Sequence, residues 1–189
     1  AGTWKDLGTW NTLTEAMDTQ AVGEALFNEN CRNVHVVNEL NVPILCMGLK
    51  DVVVSASPDG ILVSDKEQSS YIKPFVDNLD HRVMFAEKSW GSFRVLDVGK
   101  ESLTIKVTLN PGHSMNYHSH DHRDEVWTVI QGTGRAIIGI KEQVVGVGDV
   151  ITMPAGSRHT IIAETELQLI EVQIGKDISV HDKHKHELE

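Results

Sequence analysis

Three histidines and one glutamate in the second half of the chain have the residue types and the spacing of metal ligands. His118 and His120 are two residues apart in "NYHSH", so on a β-strand both imidazoles would point to the same face. Glu125 follows the polar turn "DHRD" and can return on the neighbouring strand, and His159 follows a turn that contains proline and glycine. A mixed set of nitrogen and oxygen ligands suits a divalent transition metal (Zn, Mn, Fe, Co or Ni) with open coordination positions. The sequence therefore predicts a metal site, the alternative being a pocket whose histidines hold no metal.

The other histidines in this half of the chain are not expected to belong to that site. His113 and His122 fall in turns, where a solvated side chain is the ordinary outcome. Three more histidines stand in the polar tail and could chelate a metal adventitiously, but their spacing does not indicate a built site: His181, His184 and His186.

Composition and charge narrow the class of protein. Of the 189 residues 40% are hydrophobic and 23% are charged, which is ordinary for a globular protein. The formal net charge of -10 repels nucleic-acid phosphates, and the six arginines form no basic run. No apolar run approaches the roughly 20 residues that span a membrane, and no secretion signal stands at Ala1. We expect a cytoplasmic protein that binds neither nucleic acid nor membranes, with Cys31 and Cys46 reduced.

The first part of the chain, 1–80, reads as short helices around a β-rich region. "TLTEAMDTQA" has helical spacing and a threonine cap, and "SSYIKPFVDNLD" predicts a second helix with Pro74 in its first turn. Between them, from Val34 to Val63, short β-type runs alternate with Asn, Gly, Pro and Asp turn signals. This pattern indicates a sheet or a β-solenoid.

The second part is predicted to be almost wholly β. In residues 81–92 the apolar residues follow neither a helical nor a two-residue period, and this segment is interpreted as a linker. Eight short apolar runs between 93 and 175 have the even spacing of a sandwich or barrel. The tail, 176–189, is polar and is expected to be frayed or loosely docked. The candidate ligands all lie within the eight-strand region.

Two spaced motifs around the candidate ligands resemble those of the cupin superfamily. The first is Gly112, five residues, "HSH", four residues, Glu125, six residues and Gly132; the second is Gly148, five residues, "PAG", two residues and His159. The resemblance implies a small β jelly roll, or double-stranded β-helix, with a metal inside. The second motif departs from the family at Ala163, where an asparagine is usual, but that position is not a ligand.

Longer stretches are similar to bifunctional mannose-1-phosphate guanylyltransferase/mannose-6-phosphate isomerases of type II. "SWGSFRVLD", "DEVWTVIQGTGRAIIG" and "LQLIEVQIG" resemble the cupin half, while "WKDLGTWNTL" and the run from "MGLKDVVV" to "PFVDNL" resemble the end of the transferase half. The resemblance implies a partial left-handed β-solenoid before the cupin, a full-length enzyme that makes GDP-mannose from GTP and mannose 1-phosphate, and Asp6 as a ligand of its catalytic magnesium. By fold analogy we also expect a homodimer.

Two departures leave the role of the cupin part open. His118 stands where the isomerase family has a glutamine ligand, and no arginine follows Arg158, although the family has a basic, arginine-containing C-terminal stretch. One hypothesis is an active isomerase with Arg123 or Arg158 near the substrate phosphate. The second is a catalytically silent module for sugar binding or dimerisation, and a third, an unrelated cupin oxygenase, does not explain the first part of the chain.

Overall fold

The chain is mainly β and divides into two compact units, Ala1–Val83 and Met84–Glu189. The computed structural model describes residues 20–79, 82–176, 178 and 182–186. The predicted helix "TLTEAMDTQA", except for its last two residues, and Asp6 lie outside the described residues. Among the described helices none is both long and apolar enough to cross a membrane.

The first unit contains two small sheets. Its described elements are β1 (Ala21–Val22), β2 (Ala25–Phe27), β3 (Arg32–Asn38), β4 (Ile44–Cys46), β5 (Lys50–Ser57) and β6 (Gly60–Asp65), then a 3-10 helix (Gln68–Tyr71) and a one-turn α-helix (Lys73–Val76). One sheet has the order β1-β3-β5-β6 and the other pairs β2 with β4. All pairs are parallel except β5 with β6, which are joined by a tight turn at Pro58 and Asp59.

The expected partial left-handed β-solenoid is not supported, because neither sheet curls around into a coil. The turn after β5 reverses the chain, so that β6 runs antiparallel to β5 and does not extend the parallel ladder. Buried residues in β3, β4 and β5, with Cys31 just before β3, instead form a small core of short side chains: Cys31, Val34, Val36, Cys46 and Val54. Short β-type runs are common to both architectures, which is why the sequence alone did not separate them.

The helix predicted after this region is present but short. Pro74 occupies its first turn, where its fixed φ and missing N–H cause no loss. Of the apolar residues that suggested the helix, Val76 is buried, whereas Phe75 and Leu79 are exposed.

The second unit is a sandwich of two antiparallel sheets. Its strands are β7 (Phe85–Lys88), β8 (Gly91–Val98), β9 (Ser102–Leu109), β10 (His118–Ser119), β11 (Asp124–Gln131), β12 (Gly134–Ile138), β13 (Lys141–Val145), β14 (Val150–Met153), β15 (His159–Ala163), β16 (Leu167–Ile174) and β17 (His184–Lys185). The sheet orders are β14-β11-β16-β9-β8-β7 and β13-β12-β15-β10-β17. From β9 onward the chain passes repeatedly from one sheet to the other, as in a jelly roll, and all eight predicted apolar runs are strands.

Two short strands of this unit, β7 and β17, were not predicted. β7 lies in the segment that we expected to be a linker and pairs with β8. β17 lies in the tail that we expected to be frayed, and it pairs with β10, itself only two residues long. The core between the two sheets is formed by large apolar side chains of the alternating strands, among them Leu109, Trp127, Ile161, Leu167 and Leu169.

Candidate metal centre

The jelly roll brings the four predicted ligands to one place between its sheets. His118 in β10 is the register partner of His159 in β15, and His120 follows β10 directly. Glu125 comes from β11 in the opposite sheet, where alternation points it inward together with Trp127. One ligand atom from each of these four residues can be chosen so that all lie within 4.8 Å of one another, and each residue is at most 4% exposed.

The three histidines all turn their Nε2 atoms toward the centre, because main-chain carbonyls hold their Nδ1 atoms. His118 Nδ1 contacts Asn116 O, His159 Nδ1 lies 3.0 Å from Ser157 O, and His120 Nδ1 lies 2.6 Å from Asp182 O. A carbonyl oxygen only accepts hydrogen bonds, so these contacts place the ring proton on Nδ1 and leave a lone pair on Nε2 in the neutral imidazole. That is the tautomer that a metal ligand requires.

Glu125 makes the contacts that most directly indicate a cation. Its Oε1 lies 3.0 Å from His120 Nε2 and its Oε2 lies 3.2 Å from His159 Nε2. With the ring protons on Nδ1, each contact joins two acceptor atoms. Arg123 lies 3.1 Å from both atoms of the first contact and compensates it, whereas the two atoms of the second contact repel unless a proton or a metal ion lies between them. Moreover, Glu125 Oε2 and His159 Nε2 are buried and have no hydrogen-bond partner among the described residues. A divalent cation would satisfy both atoms, so the donor set fits a metal.

The protonation states at the site also suit a metal. The pKa of His118 is lowered to about 3, mainly by burial and also by the nearby His159, Lys183 and His120, against the raising effect of the hydrogen bond with Asn116 O. Burial by itself raises the pKa of Glu125, but the neighbouring His120 and His159 outweigh this, so the pKa is lowered. At neutral pH the centre therefore offers a neutral His118 imidazole and a carboxylate.

The two candidate arginines lie in different surroundings. Arg123 is buried between β10 and β11, with Nε 3.1 Å from Glu125 Oε1 and one terminal nitrogen 3.1 Å from His120 Nε2. Arg158, next to His159, is exposed, and its carbonyl accepts a hydrogen bond from Gly139 N–H. The structure thus brings Arg123, and not Arg158, into direct contact with candidate ligands.

The other described histidines of the second unit lie outside the candidate centre. His113 and His122 are exposed, as expected of turn residues. In the tail His184 is exposed and contacts Asp121, His186 is half-buried, and His181 lies outside the described residues.

Sequence reasoning missed a buried carboxyl group beside the centre. Glu171 in β16 accepts hydrogen bonds from Trp127 Nε1 at 2.7 Å and from the Gln173 amide at 2.8 Å. Burial, followed by the charge of Glu125, raises the pKa of Glu171 to about 8, although the hydrogen bonds from Gln173 and Trp127 act in the opposite sense. The signal was present in "LQLIEVQI", since period-two alternation from the buried Leu167 puts both polar residues on the inward face.

A second missed residue, Asp182, comes from the polar tail. It is 5% exposed, and its carboxylate accepts the main-chain N–H groups of Asp121 and His122. Burial tends to raise the pKa of Asp182, but these two hydrogen bonds outweigh burial and lower it. The spacing of residues in the sequence could not indicate this contact, because it joins residues about 60 positions apart.

Comparison with known proteins places nearly all of the second unit in one family. The family model for the mannose-6-phosphate isomerase C-terminal domain matches residues 77–187, more than half of the chain. The chain belongs to this family. The resemblance drawn from the sequence motifs is thereby confirmed, and the match takes in all four candidate ligands and the described part of the tail.

Relatives of the mannose-6-phosphate isomerase C-terminal family also match the first unit. Mannose-1-phosphate guanylyltransferase from Escherichia coli K12 is 28% identical over 192 residues, which are 95% of this chain and 40% of the relative. Mannose-1-phosphate guanylyltransferase 2 from Escherichia coli O157:H7 is 27% identical, over 97% of this chain and 42% of the relative. A solved double-stranded β-helix protein from Klebsiella pneumoniae covers 50% of this chain and 83% of its own, with 19% identity and a TM-score of 0.46. The chain spans about two fifths of the length of these curated relatives and corresponds to their C-terminal part.

Proposed function

We propose that the second unit binds one divalent transition metal through His118, His120, Glu125 and His159. The observation that carries the proposal is the 3.2 Å contact between Glu125 Oε2 and His159 Nε2, two buried atoms that have no hydrogen-bond partner among the described residues and that a cation between them would satisfy. Three imidazole nitrogens and one carboxylate favour Zn, Mn, Fe, Co or Ni over magnesium, which prefers oxygen ligands.

We further propose that this centre isomerises a sugar phosphate, with mannose 6-phosphate, the sugar phosphate named by the family, as the first candidate. When bound, the metal would polarise a carbonyl oxygen of the substrate. The protein's own side chains supply the charge and the shape of the site around the metal. The Arg123 guanidinium, fixed beside Glu125 and His120, is a permanent cation with planar donors that can pair with an anionic group of the substrate.

The test is conversion of mannose 6-phosphate by metal-loaded protein, followed by phosphorus NMR with metal content measured on the same sample. We expect turnover by the native chain and a loss of at least about tenfold in Arg123→Lys, which keeps the charge but loses the planar fork. Arg158→Lys is the matched control at an exposed arginine and should retain activity. Absence of turnover with about one metal bound per chain would contradict the isomerase proposal.

The second candidate is a catalytically silent module that binds a sugar or forms a homodimer. It is favoured by an exposed apolar edge along β13 and β14, each of which is the outermost strand of its sheet. Four large side chains there are 61–101% exposed: Ile140, Val144, Val147 and Val150. Apolar residues at open sheet edges are typical of surfaces that pair with another copy. Light scattering of the native chain and of Val144→Lys tests this: we expect a dimer that the variant dissociates, and a native monomer would contradict it.

For the full-length protein we propose the activity of its relatives, the synthesis of GDP-mannose from GTP and mannose 1-phosphate. Asp6 is the proposed magnesium ligand of that activity and lies outside the described residues. Loss of nucleotide transfer in full-length Asp6→Ala, with isomerisation unchanged, would support this assignment. The two buried free cysteines, Cys31 and Cys46, are consistent with a proposed cytoplasmic location, where thiols stay reduced.

A further inference from the structure

The C-terminal segment 182–186 contacts the candidate metal centre from a distant part of the sequence. Strand β17 pairs with β10, with His118 opposite Lys185 and Ser119 opposite His184. Two further contacts hold the segment: the Ser119 hydroxyl lies 2.7 Å from His186 Nε2, and His186 N–H donates to Tyr117 O. The two-residue strand that carries the first ligand is therefore held by β15 on one side and by the tail on the other.

The three histidines differ in how their rings are oriented. His118 and His159 are each held by the carbonyl of the residue two positions earlier, so their orienting group belongs to the same local loop. His120 is held by Asp182 O, 62 residues away. The ligand motif can orient two of its histidines, but it needs the tail to orient the third.

Asp182 holds both His120 and the turn that follows it. Its carbonyl lies 2.6 Å from His120 Nδ1, while Oδ1 and Oδ2 each accept a main-chain N–H at 2.9 Å, from Asp121 and His122 respectively. The carboxylate thus fixes the turn to the same residue whose carbonyl fixes the ring. Because the side chain is 5% exposed, water competes poorly for these bonds.

We propose that Asp182 is a positioning residue that orients His120 and thereby sets the metal affinity, so that the C-terminal segment completes the centre. This inference rests on the proposed metal site. Groups that orient a ligating histidine commonly change metal affinity 10- to 100-fold when they are removed, which sets the expected size of the effect.

The test compares Co²⁺ affinity and the visible Co²⁺ spectrum of the native chain, Asp182→Ala and Asp182→Asn. We expect Asp182→Ala to bind at least about tenfold more weakly with an altered spectrum. Asp182→Asn keeps one acceptor oxygen and should lose less affinity. Asp121→Ala is the matched control: it removes the exposed contact with His184 but keeps the N–H that binds Asp182, and its affinity should stay within about twofold of native. Affinity of Asp182→Ala within twofold of native would overturn the inference.

A second measurement separates this inference from the metal proposal. In metal-free protein, the imidazole ¹⁵N signals of His120 should report a proton on Nδ1 in the native chain and a mixture of tautomers in Asp182→Ala. If the native chain binds no Co²⁺, the metal proposal fails, whereas the tautomer result still tests the role of Asp182. Unchanged His120 signals in Asp182→Ala would overturn the positioning role even where affinity falls.

Discussion

The two units differ in whether their buried polar side chains have all their hydrogen bonds. In the first unit Asn38 is 5% exposed and uses its whole amide, donating to Glu24 O and Val42 O and accepting from Leu40 N–H. Among the described residues, the buried side-chain atoms without a hydrogen-bond partner all lie in the second unit: Glu125 Oε2, His159 Nε2 and Gln173 Oε1. Buried polar groups whose hydrogen bonds are all made within the protein stabilise loops. Buried polar groups with unused hydrogen-bonding capacity mark a site that binds a ligand. The comparison locates the candidate function of this chain in the jelly roll.

The largest expected effect comes from removing the central acceptor of the second unit. Glu125→Ala should reduce the metal content from about one ion per chain to almost none, because the only carboxylate of the four-residue set is lost. Elemental analysis of protein purified without chelator measures this. Retention of a full equivalent of metal in the variant would place the metal elsewhere and would remove the basis of the comparison.

The ligand set of this prediction could be derived from sequence because its geometry is mostly local. Two histidines at i and i+2, and a glutamate one polar turn later, are confined to a short stretch of chain, and the eight main strands followed from period-two apolar runs. Strands β7 and β17 were missed because short polar strands have no such period, and Asp182 because its partners are fixed only when the tail folds back. The β-solenoid was predicted wrongly because strand-sized runs do not reveal whether a sheet curls.

The second expected effect lies in the first unit and should leave the metal untouched. Asn38→Ala removes three hydrogen bonds, those to Glu24 O and Val42 O and that from Leu40 N–H, which should cost about 1–3 kcal/mol of unfolding free energy. Denaturant unfolding measures the loss, and metal content should equal that of the native chain. A loss of metal in Asn38→Ala would show that the two kinds of buried polar group are not independent.

The dependence of the unfolding free energy on pH should reveal His118, which lies in the second unit. Its pKa is about 3 in the folded chain and near the ordinary 6.5 when unfolded, so between these values the unfolded chain binds more protons. Stability from this group is therefore complete above pH 6.5 and is lost as the pH falls toward 3, by up to about 1.4 kcal/mol per pH unit. In metal-free protein, His118→Gln should show a flatter dependence of unfolding free energy on pH than the native chain. Parallel curves for the two proteins would contradict the burial of a neutral imidazole.

The smallest effect is expected for polar contacts on the surface of the second unit. Arg135 pairs with Glu142 across β12 and β13, and a 3.8 Å contact joins it to Glu164, but these side chains are 42–52% exposed. Solvent screens such pairs, so Glu142→Gln should change the unfolding free energy by less than about 1 kcal/mol. Its Co²⁺ affinity should also equal that of the native chain, because water can replace the lost partner of Arg135. If this variant bound Co²⁺ as weakly as Asp182→Ala, affinity would reflect charge anywhere in the jelly roll rather than the orientation of ligands inside it.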